Sequence, residues 1–166
     1  MKRLLILRHA KSDWSTGAST DRARPLNKRG TDAAITMGLV LAKIGEIPDL
    51  VYTSPAVRAR ETALLAADAG DWGAATVEVD ELYETSPVAA LAVAGGAPAD
   101  VERLMLVGHE PTWSYLVQTL TGASVHLKTA TVAAIDLPVA RWSDAPATTG
   151  TLVYLLQPRL FTDWEL

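Results

Sequence analysis

The chain has 166 residues, 49% of them apolar, with 15 basic and 19 acidic side chains and a net charge of −4. That length suits one domain over residues 1–166, with a core that needs no disulfide or metal staple. Cysteine is absent, which removes thiolate nucleophiles, cysteine zinc sites and disulfide frameworks, and the scattered charges argue against a nucleic-acid surface.

The opening "MKRLLILRHA" puts basic residues before an apolar run, but the run ends after four residues at Arg8-His9. It reads as a first strand rather than a targeting segment. No apolar stretch approaches the roughly 20 residues of a membrane span, so no membrane role and a cytoplasmic location are expected. Further strands are predicted at Leu50–Tyr52, Thr76–Val79, Arg103–Val107, Thr131–Leu137 and Thr151–Leu156, after a first at Arg3–Leu7, from their length and their Val, Ile and Leu content. Helical patterns fill the gaps at Asn27–Ile44, Pro55–Ala69, Ser86–Ala94 and Pro111–Leu120. Ser54-Pro55 and Glu110-Pro111 read as helix starts, with a capping side chain before a proline at the first helical position. The alternation predicts an α/β fold: a three-layer α/β/α sandwich around a largely parallel sheet.

Ligands of open α/β sheets sit beyond the carboxyl ends of the parallel strands. At those ends this chain places Arg8-His9 after the first strand, Ser54-Pro55 leading to Arg58 after the second, and Gly108-His109 after the fourth. A bland reading makes Arg8 and His9 the first solvated residues after a strand. Against it, two of the chain's three histidines fall at these ends, each with an arginine to hand. Two converging arginines repel one another unless an anion lies between them, and a phosphoryl group matches their planar forks. A neutral histidine there could attack phosphorus, and a second could hold an equatorial oxygen. A metal site is disfavoured, because the arginines repel a divalent cation and no carboxylate lies at ligand spacing from either histidine. No cofactor is implied.

"LRHAKS", "SPAVRARET" and "LMLVGHEP", in that order, resemble the histidine phosphatase superfamily, whose fold is phosphoglycerate mutase-like and whose usual opening is Arg-His-Gly. "RPLNKRG", Arg24 to Gly30, and the short length resemble its SixA-type phosphohistidine phosphatase branch. The resemblance implies a single histidine phosphatase domain without a large lid insertion. It makes His9 the nucleophile, Arg8 and Arg58 the phosphate clamp, and His109 the completion of the pocket. Glu61 and Thr62 are expected to brace the helix, and Arg60 to be a rim charge. Ala10 stands where glycine is usual, which is tolerable if its φ is negative. Ser15 stands where many relatives carry a phosphate-contacting asparagine, which leaves it a weakened phosphate ligand. Lys11 reads as a solvated lysine near the mouth, and His126, outside every motif, as a strand-end or surface histidine.

The proton donor is expected after the third strand, where "VDELYETS" offers Asp80, Glu81 and Glu84. Glu81, just before Leu82, is the first choice, with Glu84 or water behind it. By the branch resemblance, the substrate is a phosphohistidine on a phosphotransfer protein. A small-molecule phosphomonoester phosphatase or mutase is the runner-up, and a non-catalytic phosphoprotein-binding module a third reading. The oligomeric state is not legible.

Overall fold

The computed structural model describes residues 1–162. Its strands are β1 (Lys2–Arg8), β2 (Leu50–Thr53), β3 (Ala75–Glu78), β4 (Arg103–Gly108), β5 (Val132–Leu137) and β6 (Thr151–Leu156). They form one sheet in the order β3-β2-β4-β1-β5-β6. The first four pair in parallel, while β5 runs antiparallel to both β1 and β6. Every strand overlaps one of the apolar runs read from the sequence. Helices α1 (Lys28–Lys43), α2 (Val57–Ala69), α3 (Pro87–Gly95) and α4 (Thr112–Thr121) complete the expected sandwich, with no large insertion between elements.

Alternation along the strands divides the core in two. Leu4 and Ile6 of β1, with Leu104 and Leu106 of β4, share one core with Leu91 of α3 and Leu116 of α4. Their neighbours Leu5, Leu7, Met105 and Val107 share the other with Met37 and Leu41 of α1 and Ala63 of α2. Strands buried on both faces must be apolar throughout, which is why they appear as unbroken runs. Among the described residues no helix is long and apolar enough to cross a membrane.

Helix α1 starts as its sequence implies: the Asn27 side chain accepts the Gly30 N–H at 2.9 Å. A Cβ at Gly30 would lie 2.1 Å from the Lys11 carbonyl oxygen, so glycine there lets α1 seat against the chain leaving β1. The other two starts differ from expectation. Helix α2 begins at Val57 with Ala56 at its N-cap and no side-chain cap, and α4 begins at Thr112 with Pro111 at its N-cap. Glu110 supplies the missing cap for α4 from one residue earlier, its Oε1 accepting the Ser114 N–H at 3.1 Å. Ser54 is drawn into the site described below.

Register then sets the level of the strand ends. Arg8 pairs with Gly108, and Thr53 with Val107. The next residues keep the ladder going, with His9 N–H donating to the Gly108 carbonyl and Ser54 N–H to that of Val107, each at 2.9 Å. His9, Ser54 and His109 therefore leave the sheet side by side. A Cβ at Gly108 would come within 2.6 Å of the Trp113 ring, so glycine lets this buried indole of α4 close over the rim. Trp113 locks that position by donating to the Leu7 carbonyl at 3.0 Å.

Candidate functional site

The carboxyl rim opens into a cleft of about 540 Å³ lined by Arg8, His9, Arg58 and His109, together with side chains from the β3–α3 loop. The rings of the two histidines lie 5.2 Å apart, tilted by 52°. His9 Nδ1 is 2.7 Å from the Ala10 carbonyl, which can only accept, so Nδ1 carries the proton and Nε2 keeps its lone pair. Burial, helped by His109, Arg58 and Arg8, pushes its pKa down to about 3. The imidazole is neutral near pH 7. Ala10 is not among the residues of positive φ, so the change from glycine is accommodated.

His109 is fixed by a residue the sequence had assigned to a helix cap. Its Nε2 lies 2.8 Å from the Ser54 hydroxyl, and its Nδ1 lies 3.4 Å from Arg58 Nη2. An arginine can only donate, so Nδ1 is the bare nitrogen of the neutral ring and Nε2–H donates to Ser54. Burial first, then the charge of Arg58, lowers its pKa to about 4. An anion in the cleft works in the opposite sense and would draw a proton onto Nδ1.

Both arginines line the cleft and are held by acceptors from other segments. Arg8 donates from Nη1 to the Leu127 carbonyl at 2.7 Å, an acceptor supplied by the segment leading into the antiparallel strand β5. Arg58 donates from Nη1 to the backbone carbonyl of Asp21 at 2.7 Å and from Nη2 to its Oδ2 at 2.9 Å. The Nε–H of each is buried without a partner among the described residues. Buried guanidinium donors left unsatisfied are costly unless a ligand completes them.

Several functional candidates had gone unread in the sequence. Asp21 accepts from Arg58, from Arg24 Nη2 at 2.7 Å and from the Tyr83 hydroxyl at 3.1 Å. Burial alone would raise its pKa, but these bonds outweigh it and hold the carboxyl at about 2. Arg24 and Tyr83 also line the cleft, and the Tyr83 ring stands edge-on to His109 at 5.7 Å. The legible signal was Asp21, three residues ahead of Arg24, which opens "RPLNKRG".

Two expectations are corrected. Glu81 does not line this cleft: the short turn Asp80–Leu82 buries Leu82 in the core and leaves Glu81 beside Tyr52, Val77 and Val79 in a separate apolar groove. The acids that do line the cleft are Asp21, already engaged by Arg58 and Arg24, Glu84, held at φ +51°, and Glu110. Ser15 is exposed and turned onto Asp13, its hydroxyl 2.7 Å from Oδ1, in a local turn that keeps it out of the cleft. Glu61 and Thr62 brace the loops, with Glu61 Oε2 accepting the Leu26 N–H at 2.8 Å. Thr62 Oγ1 accepts from Ala10 N at 2.9 Å while donating to the Arg58 carbonyl at 2.6 Å. His126 and Lys11 are exposed. Among the described residues no three His, Asp or Glu side chains converge to hold a metal ion.

Comparison with known proteins places this geometry. The sequence model of the histidine phosphatase superfamily (branch 1) matches residues 4–87. A chloroplastic protein of Arabidopsis thaliana without an assigned function is 30% identical over 159 residues, 90% of this chain and 72% of that one. A solved structure from Nakamurella multipartitia, described as a candidate phosphohistidine phosphatase SixA, superposes with a TM-score of 0.84 at 26% identity, covering 95% of this chain and 96% of that one. Another described in the same terms, from Agrobacterium tumefaciens, gives 0.81 at 27% identity and covers 95% and 98%. The match runs through the strand ends carrying Arg8, His9 and Arg58, and the chain belongs to the histidine phosphatase superfamily.

Proposed function

We propose that this protein is a phosphohistidine phosphatase that acts on a phosphotransfer protein through a phospho-His9 intermediate. One observation carries the reading: a neutral imidazole with a free Nε2 lone pair shares one cleft with two guanidinium groups, each of which keeps a buried N–H without an acceptor. A phosphoryl group accepts from both arginines while offering Nε2 an electrophile.

His9 Nε2 attacks phosphorus in line, and the bond from phosphorus to the substrate nitrogen breaks, its electron pair staying on that nitrogen. The departing imidazole takes a proton from Glu84 or from water. Water then attacks phospho-His9 and gives up a proton, the pair of the breaking P–N bond returns to Nε2, and orthophosphate leaves. Arg8, Arg58 and a protonated His109 stabilise the equatorial oxygens in both steps. An imidazole leaving group, with a conjugate-acid pKa of about 6.5, needs far less help from an acid than an alkoxide does. The clamp is itself cationic, so the reaction is read as metal-independent. The absence of a large insertion leaves the cleft open to a side chain on another protein, and the likeness to the two SixA-described structures supports the same substrate.

The test is transfer of radiolabelled phosphate from a phosphohistidine protein, followed by mapping of the label. Acid-labile phosphate on His9, absent in His9→Ala, is expected, with phosphohistidine turned over faster than a sugar phosphate. Preference for the sugar phosphate would make this a metabolite phosphatase or mutase. Binding without turnover would make it a phosphoprotein-binding module.

A further inference from the structure

Beside the cleft, on the far side of β1 from β4, lies a second depression of about 230 Å³. Its lining includes Lys11, Arg29, Lys128 and Arg159, with Thr129 and Gln157 between them. The four cations come from four separate segments: the chain leaving β1, the first turn of α1, the segment entering β5 and the chain leaving β6. None of their side chains has a hydrogen bond or an ion pair among the described residues, although the chain as a whole is acidic with a net charge of −4. Elsewhere on the surface cations are matched, as Lys28 is by Asp32 and Arg22 by Asp80.

Four like charges gathered in one hollow raise the folded state's energy, so the cluster calls for a negative counterpart. Its place ties it to the reaction. Lys11 is two residues from His9, and Lys128 follows Leu127, whose carbonyl holds Arg8. The Ala130 N–H between them bonds the carbonyls of both Arg8 and His9. All four cations are exposed. Exposed, solvated side chains of this kind suit a carboxylate-bearing surface that arrives and leaves, rather than one small anion gripped in a buried cradle.

We propose that Lys11, Arg29, Lys128 and Arg159 form a docking patch for an acidic surface of the phosphoprotein substrate, adjacent to its phosphorylated side chain. The inference rests on the phosphohistidine phosphatase reading. The patch selects protein-borne phosphohistidine with nearby Asp or Glu side chains and leaves the chemical step to the cleft.

The experiment uses two synthetic phosphohistidine peptides that differ only in flanking residues, Asp and Glu in one and Asn and Gln in the other, with an aryl phosphate as a third substrate. Wild type is compared with the triple variant Arg29→Glu, Lys128→Glu, Arg159→Glu, which leaves the cleft side chains in place. Expected is a rise of about tenfold in KM for the acidic peptide, with kcat kept and with aryl phosphate and neutral peptide within about twofold of wild type. The wild-type preference for the acidic peptide shrinks as salt rises from about 50 to about 500 mM. Equal behaviour of the two peptides in wild type, or an equal loss on all three substrates in the variant, overturns the proposal. Should neither phosphopeptide be hydrolysed while aryl phosphate is, the phosphohistidine reading fails by itself. Fluorescence anisotropy of the labelled, unphosphorylated acidic peptide then decides the patch: binding lost in the variant sustains it, and no binding refutes it. A single-stranded RNA bound more tightly than the acidic peptide also refutes it.

Discussion

Arg58 gives both of its outer nitrogens to Asp21, one to the backbone carbonyl at 2.7 Å and one to the carboxylate at 2.9 Å, while the guanidinium lines the cleft beside His109. Asp21 aims the clamp and at the same time places a negative charge where an anion must bind. These roles separate on mutation. Asp21→Asn should tighten inorganic phosphate about threefold by removing the like charge and lower kcat about tenfold by loosening Arg58. Parallel phosphate inhibition and steady-state assays read both changes, and a fall in kcat accompanied by weaker phosphate binding would mean that Asp21 only holds the loop together.

His9 and the arginines should respond differently to truncation. His9→Ala is expected to abolish turnover while phosphate still binds, because Arg8, Arg58 and His109 remain around the cleft. Arg58→Ala should weaken phosphate binding and cost about two powers of ten in kcat/KM, since a hydrogen bond to a charged group is worth roughly 1.5–3 kcal/mol. Residual full activity in His9→Ala would rule out covalent catalysis.

The proton donor is separable by leaving group. Glu84 lines the cleft and Glu81 does not. Glu84→Gln should therefore lower kcat/KM by about a hundredfold for an alkyl phosphate and by less than about tenfold for phosphohistidine, while Glu81→Gln leaves both unchanged. An unaltered profile in Glu84→Gln would leave Glu110 or water as the donor.

Protonation gives a directional test of the site. The folded pKa values of His9, about 3, and His109, about 4, both lie below the ordinary 6.5. Between those limits the unfolded chain holds more protons than the folded one, so stability is full above about pH 6.5 and is lost as pH falls toward 4 and below. Asp21, at about 2 against 3.8, adds a loss of the same sign at lower pH. Denaturant midpoints across pH should decline on the acid side, and phosphate should blunt that decline by raising the pKa of His109. Histidine NMR titration with and without phosphate checks the upward shift, and its absence would remove His109 from the phosphate pocket.

Ser54 offers a check on positioning. Its hydroxyl accepts from His109 Nε2 at 2.8 Å and from the Ala56 N–H at 3.3 Å. Ser54→Ala should cost about tenfold in kcat with little change in KM, Ser54→Thr should restore part of it, and the acid limb of the pH profile should shift with the freed ring.

Much of the molecule was legible in the sequence because its central strands β1, β4 and β5 are buried on both faces. A strand such as Leu4–Leu7 must be apolar at every position, so the abrupt change to Arg8-His9 marks a strand end, and the same change marks Gly108-His109. Strand order and register were not legible, and they alone turn three separate strand ends into neighbours, by pairing Arg8 with Gly108 and Thr53 with Val107. Helix starts were misjudged for a related reason. Both α2 and α4 begin later than expected, and while Glu110 still caps α4, the Ser54 hydroxyl sits 2.8 Å from His109 Nε2 and reaches the backbone only at Ala56 N–H, 3.3 Å away, a placement that only the packed structure creates. Glu81 and Glu84 could not be told apart by composition. Burial of Leu82 turns one of them to the groove and the other to the cleft, a choice made by tertiary packing. The chemistry of the site was thus written in residue types at strand ends, while the direction in which each side chain points was decided by the fold, because orientation depends on partners far away in the chain.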